Sequence, residues 1–159
     1  SITFGEVMGA DAVNGPLTPT QLESAVQSGL IVFSKRGAVV RVEDGVTTFT
    51  SVSDEKDFTF TQIRAVRAIQ TIGSDISTIV EQDWIGKRVN TSSVRDSLVA
   101  RLKDYFVGLE AQRVLVNGTE VSIDTRYNNT RTDVYVLVLA QFQFELKRVL
   151  LTVRVPTVA

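Results

Sequence analysis

Thr61–Ile85 reads TQIRAVRAIQTIGSDISTIVEQDWI, and its spacing decides the architecture. Ile63, Val66, Ile69, Ile72, Ile76, Ile79, Val80 and Trp84 recur at steps of three and four, the period of an α-helix. Their arc covers more than half of the helical wheel, so this helix is expected to be central and packed on by more than one element. Gly73 in its middle costs about 1 kcal/mol of helix propensity, and close packing is the expected reason. Gly86 is placed to stop it.

Downstream, KRVNTSSVRDSLVARLKDYFVGLEAQ (residues 87–112) gives a second amphipathic helix starting near Thr91 or Ser92. Val94, Leu98, Leu102, Tyr105, Phe106 and Leu109 share one face, with Asp96, Lys103 and Asp104 opposite. Asn117-Gly118 reads as a turn. TEVSIDTRY (119–127) and RTDVYVLVLA (131–140) read as strands of a hairpin joined at Asn128-Asn129. Val134–Ala140 is apolar on both faces, which predicts a strand inside the sheet, covered on both sides. QFQFELK then leads to LKRVLLTVRVPTVA, where Val149, Leu151, Val153 and Val155 alternate with polar or outward positions. That is the period of a half-buried strand, which needs a neighbour for its backbone amides. Pairing within the chain, with Val134–Ala140, and pairing with another copy are both open on the residues alone.

Upstream, residues 51–57 are polar and loop-like. LIVFSKRGAVVRVEDGVTTFT (30–50) holds two β-rich runs broken at Arg36-Gly37, with a second turn at Asp44-Gly45. LTPTQLESAVQSG (17–29) carries a helix start: Thr18 as N-cap, Pro19 at the first helical position and Gln21 completing a capping box. Gly29 is placed to end that helix. Residues 1–16 read as an extended opening segment, 17–148 as one core domain and 149–159 as a C-terminal strand arm. The fold class is α+β: two long helices on a small mixed or antiparallel sheet.

The chain has 159 residues, 43% of them hydrophobic, enough for one core. Its 17 basic and 18 acidic residues are interleaved and the formal charge is −1, which argues against nucleic acid as a partner. Its longest apolar run, Val134–Ala140, is too short to cross a bilayer, so no membrane partner is expected. No leader-like charged segment opens the sequence, and the absence of an initiator Met reads as a piece cut from something longer. Cysteine and histidine are both absent. That removes thiolate and imidazole chemistry and the usual zinc ligands, so no cofactor or metal is expected, and an enzyme is disfavoured while carboxylate chemistry stays open.

Glu81 and Asp83 stand two apart on a helix and point in different directions, so they read as a solvated helix end rather than a catalytic pair. GKRVNTSS lacks the Gly-x4-Gly-Lys-Ser/Thr spacing of a phosphate loop. Arg64 and Arg67 on the polar side of the long helix read as solvated or ion-paired. Nothing assembles a catalytic constellation. Lys87, Arg88, Arg95, Arg101 and Lys103 do cluster in sequence as basic residues of the second helical region.

Four segments occur in an order that resembles a known family. LTPTQLESAVQSGLIVFSKRGAVVRVEDGVTTFTS, KDFTFTQIRAVRAIQTIGSDI, DWIGKRVNTSSVRDSLVARLKDYF and the terminal LLTVRV look like the C-terminal part of contractile tail sheath proteins. Those proteins line the tails of contractile phages, R-type pyocins and defective prophage particles. The stretch AQFQFELKRV departs from the more acidic, proline-containing link of many members, and the family's upstream domains and N-terminal arm are not in this sequence.

The resemblance implies a structural subunit that polymerises around a tail tube and rearranges on contraction to drive the tube through the host envelope. It implies as partners other copies in a helical homopolymer, the tube protein, and the baseplate and terminator proteins. The implied location is the virion, after assembly in the bacterial cytoplasm. It also implies that Val149, Leu151, Val153 and Val155 form a strand exchanged between subunits. Burying those four side chains contributes about 6–12 kcal/mol, and fixing seven backbone residues costs about 7–14 kcal/mol. A waiting sheet edge would tip that near-balance. Lys87, Arg88, Arg95, Arg101 and Lys103 are the tube-facing candidates. The competing readings are another tail part, such as a tube or baseplate subunit, and a small carboxylate-dependent hydrolase.

Overall fold

A computed structural model describes residues 2–54, 57–127, 132–145 and 147. The elements in chain order are α1 (Pro19–Gln27), β1 (Phe33–Arg36), β2 (Val39–Val42), a 3-10 turn (Phe58–Thr61), α2 (Ile63–Asp83), α3 (Ser92–Ala111), β3 (Glu120–Ile123) and β4 (Val136–Leu139). This is an α+β chain, with two antiparallel two-stranded sheets among the described residues. It divides into two compact units, Ser1–Val89 and Asn90–Ala159.

In the first unit, α1 forms as its end signals dictate. The Thr18 amide donates to Gln21 Oε1 (2.9 Å) and the Gln21 amide to Thr18 Oγ1 (3.4 Å), with Pro19 opening the first turn. At the other end the Gly29 amide donates to the Val26 carbonyl and the Leu30 amide to the Ala25 carbonyl, both at 3.0 Å. That is the Schellman pattern. Gly29 is needed twice over: its φ is +76°, and a Cβ there would stand 2.7 Å from the Thr47 carbonyl oxygen.

β1 and β2 pair from Phe33↔Val42 to Arg36↔Val39 around Gly37-Ala38. The opening segment joins them. The Phe4 and Val7 amides donate to the Val42 and Val40 carbonyls at 2.9 Å, and Glu6 bridges Arg41. β2 therefore has neighbours on both edges, and Val40 is buried. Residues 45–47 pair with 61–63: Val46 bridges Gln62, the Thr47 amide donates to the Thr61 carbonyl and the Ile63 amide to the Gly45 carbonyl. This contact and the 3-10 turn hold the first turn of α2.

The expectation that α2 is the buried spine is not met. Ala65, in that first turn, is its one buried residue, and the rest of the apolar arc is half-buried. The period of three and four reports which side a helix turns inward, not how much lies against it. Close packing at Gly73 is also absent: a Cβ built there meets nothing within 4 Å.

The second unit is built on α3. Thr91 caps it, accepting from the Val94 amide at 3.3 Å, and Leu98, Leu102 and Phe106 are buried at four-residue steps. α3 lies on β3, and Leu115 (1% exposed) and Val121 complete the core. β3 and β4 pair antiparallel from Glu120↔Leu139 to Ile123↔Val136, as the sequence predicts, while the expected joint at Asn128-Asn129 lies outside the described residues. The ladder continues past Asn117-Gly118, with Leu115 bridging Phe142. Asn117-Gly118 is thus an interruption within one long strand run, not a turn between elements. The two-sided burial expected of Val134–Ala140 is not found: Leu139 is 55% exposed, and Tyr135 and Ala140 are exposed. β4 pairs with β3 on one edge, and among the described residues no strand covers its other edge.

Candidate assembly surfaces

Among the described residues no group of His, Cys, Asp and Glu could hold a metal ion, and no helix is long and apolar enough to cross a membrane. Glu81 and Asp83 are both exposed at the end of α2. Arg64 is half-buried and Arg67 exposed on the same helix.

The sequence-predicted basic residues fall into two groups. Lys87 and Arg88 fold back on the end of α2. Lys87 Nζ donates to the Gln82 carbonyl, Arg88 Nε donates to the Asp83 carbonyl at 3.0 Å, and the Arg88 guanidinium lies 5.2 Å from the Trp84 ring centroid. Both cations sit where the helix dipole presents partial negative charge and orphan carbonyls. Arg95, Arg101 and Lys103 lie on α3. At 100° per residue Arg101 and Lys103 project to nearly opposite sides, and Arg95 lies in line with Leu102 on the apolar face, about 80° from Lys103. Arg101 and Lys103 are exposed and Arg95 is half-buried. Val149, Leu151, Val153 and Val155 lie outside the described residues.

Two polar arrangements of the second unit went unread in the sequence. Asp124, buried to 6% exposure, holds Arg126. Its Oδ1 accepts from the Arg126 amide and Nε at 3.0 Å, and its Oδ2 from Nη2 at 2.7 Å. The Arg126 guanidinium keeps the Asp124 carboxyl below its ordinary range. That guanidinium also lies 5.8 Å from the Tyr127 ring, which stacks on Tyr135 at 4.8 Å. The spacing Asp-x-Arg, an Asx-type local bond, was the available signal. In the other arrangement Glu110, near the end of α3, accepts from the amides of Thr119 (2.7 Å) and Gly118 (3.0 Å) through one oxygen. Hydrogen bonds from Thr119, then Gly118, lower its pKa. No local spacing announces this contact.

Residues 55–156 match the family described as the phage tail sheath C-terminal domain, and the chain belongs to that family. The tail sheath protein of Clostridium phage phiCD119 is 24% identical over 102 residues, which are 64% of this chain and 29% of that protein. The sheath tail protein from Desulfitobacterium hafniense shares the fold with a TM-score of 0.72 at 19% identity, across 89% of this chain and 36% of its own. The sheath tail protein from Listeria innocua does so with a TM-score of 0.68 at 18% identity, across 89% and 38%. The chain spans between 29% and 38% of the length of these relatives.

Proposed function

We propose that this chain is the part of a contractile tail sheath subunit through which neighbouring copies are tied together around a tail tube. The family match supports a structural role in a phage tail, and one observation carries the finer reading. β4 presents an edge that no strand covers among the described residues, and the chain closes on an alternating segment that needs one. Main-chain pairing of Val149–Val155 with a sheet edge of another copy supplies hydrogen bonds that do not depend on sequence, with alternate side chains filling its face. Such a tether stays paired while the bodies it joins rotate, which suits a lattice that rearranges on contraction. The metastable extended lattice would store the energy, so no nucleotide is required. Lys87, Arg88, Arg95, Arg101 and Lys103 are the residues from which a tube-facing charge is drawn. Baseplate and terminator proteins would bound the polymer, and assembly would take place in the bacterial cytoplasm before the tail becomes part of the virion.

Truncating the complete sheath subunit after Lys147 tests this reading. A folded subunit that no longer polymerises, by electron microscopy and sedimentation, is expected. Full-length contractile sheath from the truncated subunit would overturn it. Unfolding of the truncated subunit would point instead to pairing within one chain.

A further inference from the structure

Opposite one long strand run, from Val136 to Gln143, two segments pair in different registers. Continuing the β3–β4 register beyond Glu120↔Leu139 would set Asn117 opposite Phe142. Instead Leu115 stands opposite Phe142, with the Val116 amide donating to the Gln141 carbonyl (2.8 Å) and the Gln143 amide to the Val114 carbonyl (3.0 Å). Asn117, Gly118 and Thr119 thus oppose the single residue Ala140, a bulge with two extra residues. An open groove lined by Val116, Asn117, Gly118, Leu139 and Gln141 marks the break.

Side-chain alternation cannot select this register. A slip of one residue would flip every side chain to the wrong face, but a slip of two returns each to the same face. The stepped and the continuous ladders therefore satisfy the same apolar pattern, and a contact outside the ladder must choose. Glu110 makes that contact. It sits on α3 and takes the Gly118 and Thr119 amides on one carboxylate oxygen, holding both bulge donors away from the strand opposite. Gly118 at φ +106° allows the backbone to turn both amides toward it.

We infer that Glu110 is the positioning residue that locks the two-residue register step, and with it the course of residues 141–145. Losing the lock lets the strand slip by about 7 Å, two residues at roughly 3.3 Å each. The importance of that course for polymerisation rests on the reading above; the register itself does not.

Nuclear magnetic resonance on the 159-residue chain reads the register directly. Leu115 and Phe142 form a non-hydrogen-bonded pair, whose α-protons lie close. Their cross-strand contact should be strong in the wild type. In Glu110→Ala it should be lost or replaced by a contact between Asn117 and Phe142, and Glu110→Gln, which keeps an acceptor oxygen, should restore it. An unchanged Leu115–Phe142 contact in Glu110→Ala overturns the inference. Should Glu110→Ala fail to fold, wild-type exchange decides. The Gly118 and Thr119 amides should exchange at least roughly tenfold more slowly than unprotected amides of the same sequence, and equal rates overturn the lock. In the complete subunit, Glu110→Ala should lower polymerisation as truncation after Lys147 does. If truncation leaves polymerisation intact while the register still slips in Glu110→Ala, the tethering role fails and the lock stands.

Discussion

α2 and α3 have nearly the same length, 21 and 20 residues, and opposite fates. α2 has the broader and more regular apolar arc, yet Ala65 is its one buried residue. α3 has a less regular pattern, with Val107 61% exposed among its apolar residues, yet it buries Leu98, Leu102 and Phe106. Burial follows attachment. α3 lies on β3 and shares its core with Leu115 and Val121, whereas α2 is fastened in its own unit through its first turn. An amphipathic pattern states a helix's demand for cover; tertiary contacts supply it.

The largest test of this contrast is truncation on each helix. Phe106→Ala should cost about 3–5 kcal/mol, because a 2%-exposed ring leaves a cavity in a closed core. Ile76→Ala on the half-buried arc of α2 should cost about 1 kcal/mol, in proportion to the area it keeps from water. Denaturant unfolding of the chain, followed by tyrosine and tryptophan signals, would measure both. Equal losses would dissolve the distinction between the two helices.

The second unit should lose stability in acid through Asp124 and Glu110. Arg126 holds the first carboxylate, and the Thr119 and Gly118 amides the second, so both folded pKa values lie below the unfolded ones. A lowered carboxylate pKa adds stability that is complete above the unfolded value, near pH 4, and is lost as pH falls through the folded value. Asp124→Asn should therefore flatten the dependence of melting temperature on pH below about pH 4, relative to the wild type. Parallel curves for the two proteins would sink the assignment.

What the sequence disclosed follows the range of the interactions concerned. Helix ends are local chemistry, so Thr18 with Gln21, Thr91, Gly29 and Gly86 mark boundaries that the structure reproduces to within about two residues. The β3–β4 pairing was legible because two β-rich runs stand close together in the sequence, on either side of Asn128-Asn129. Neither the dominance of α3 nor the Glu110 contact was legible, since both join residues by folding rather than by spacing. The bulge was misread as a turn because Asn-Gly suits both. Lys87 and Arg88 stand out in the sequence by charge alone, and their contacts with the end of α2 follow from where that helix stops.

A smaller effect separates two helix ends of one design. α1 and α3 both close with paired Schellman bonds, but the left-handed position is Gly29 in α1 and Arg113, at φ 57°, in α3. The arginine amide donates to the Glu110 carbonyl (2.9 Å) and the Val114 amide to the Leu109 carbonyl (3.0 Å). A side chain in this conformation costs roughly 1–2 kcal/mol, and glycine's greater freedom when unfolded returns part of that. Arg113→Gly should stabilise the chain by about 1 kcal/mol in thermal unfolding, less the contribution of the arginine's own contacts. A loss of stability would show that those contacts outweigh the strain.

The smallest expected change lies at Gly73, and it bears on why α2 holds a glycine at all. Two causes could retain glycine in a helix interior: a neighbour too close for a methyl group, or a conformation that alanine resists. Neither operates here. A Cβ built at residue 73 meets nothing within 4 Å, and the residue lies inside regular helix without a positive φ. Gly73→Ala therefore removes unfolded-state entropy and adds helix propensity at no steric cost, a gain of about 0.5–1 kcal/mol. Chemical denaturation should show a higher midpoint at an unchanged slope, since the area exposed on unfolding hardly changes. A lower midpoint would mean that this turn of α2 is more closely covered than its half-buried neighbours indicate, and the contrast with α3 would narrow.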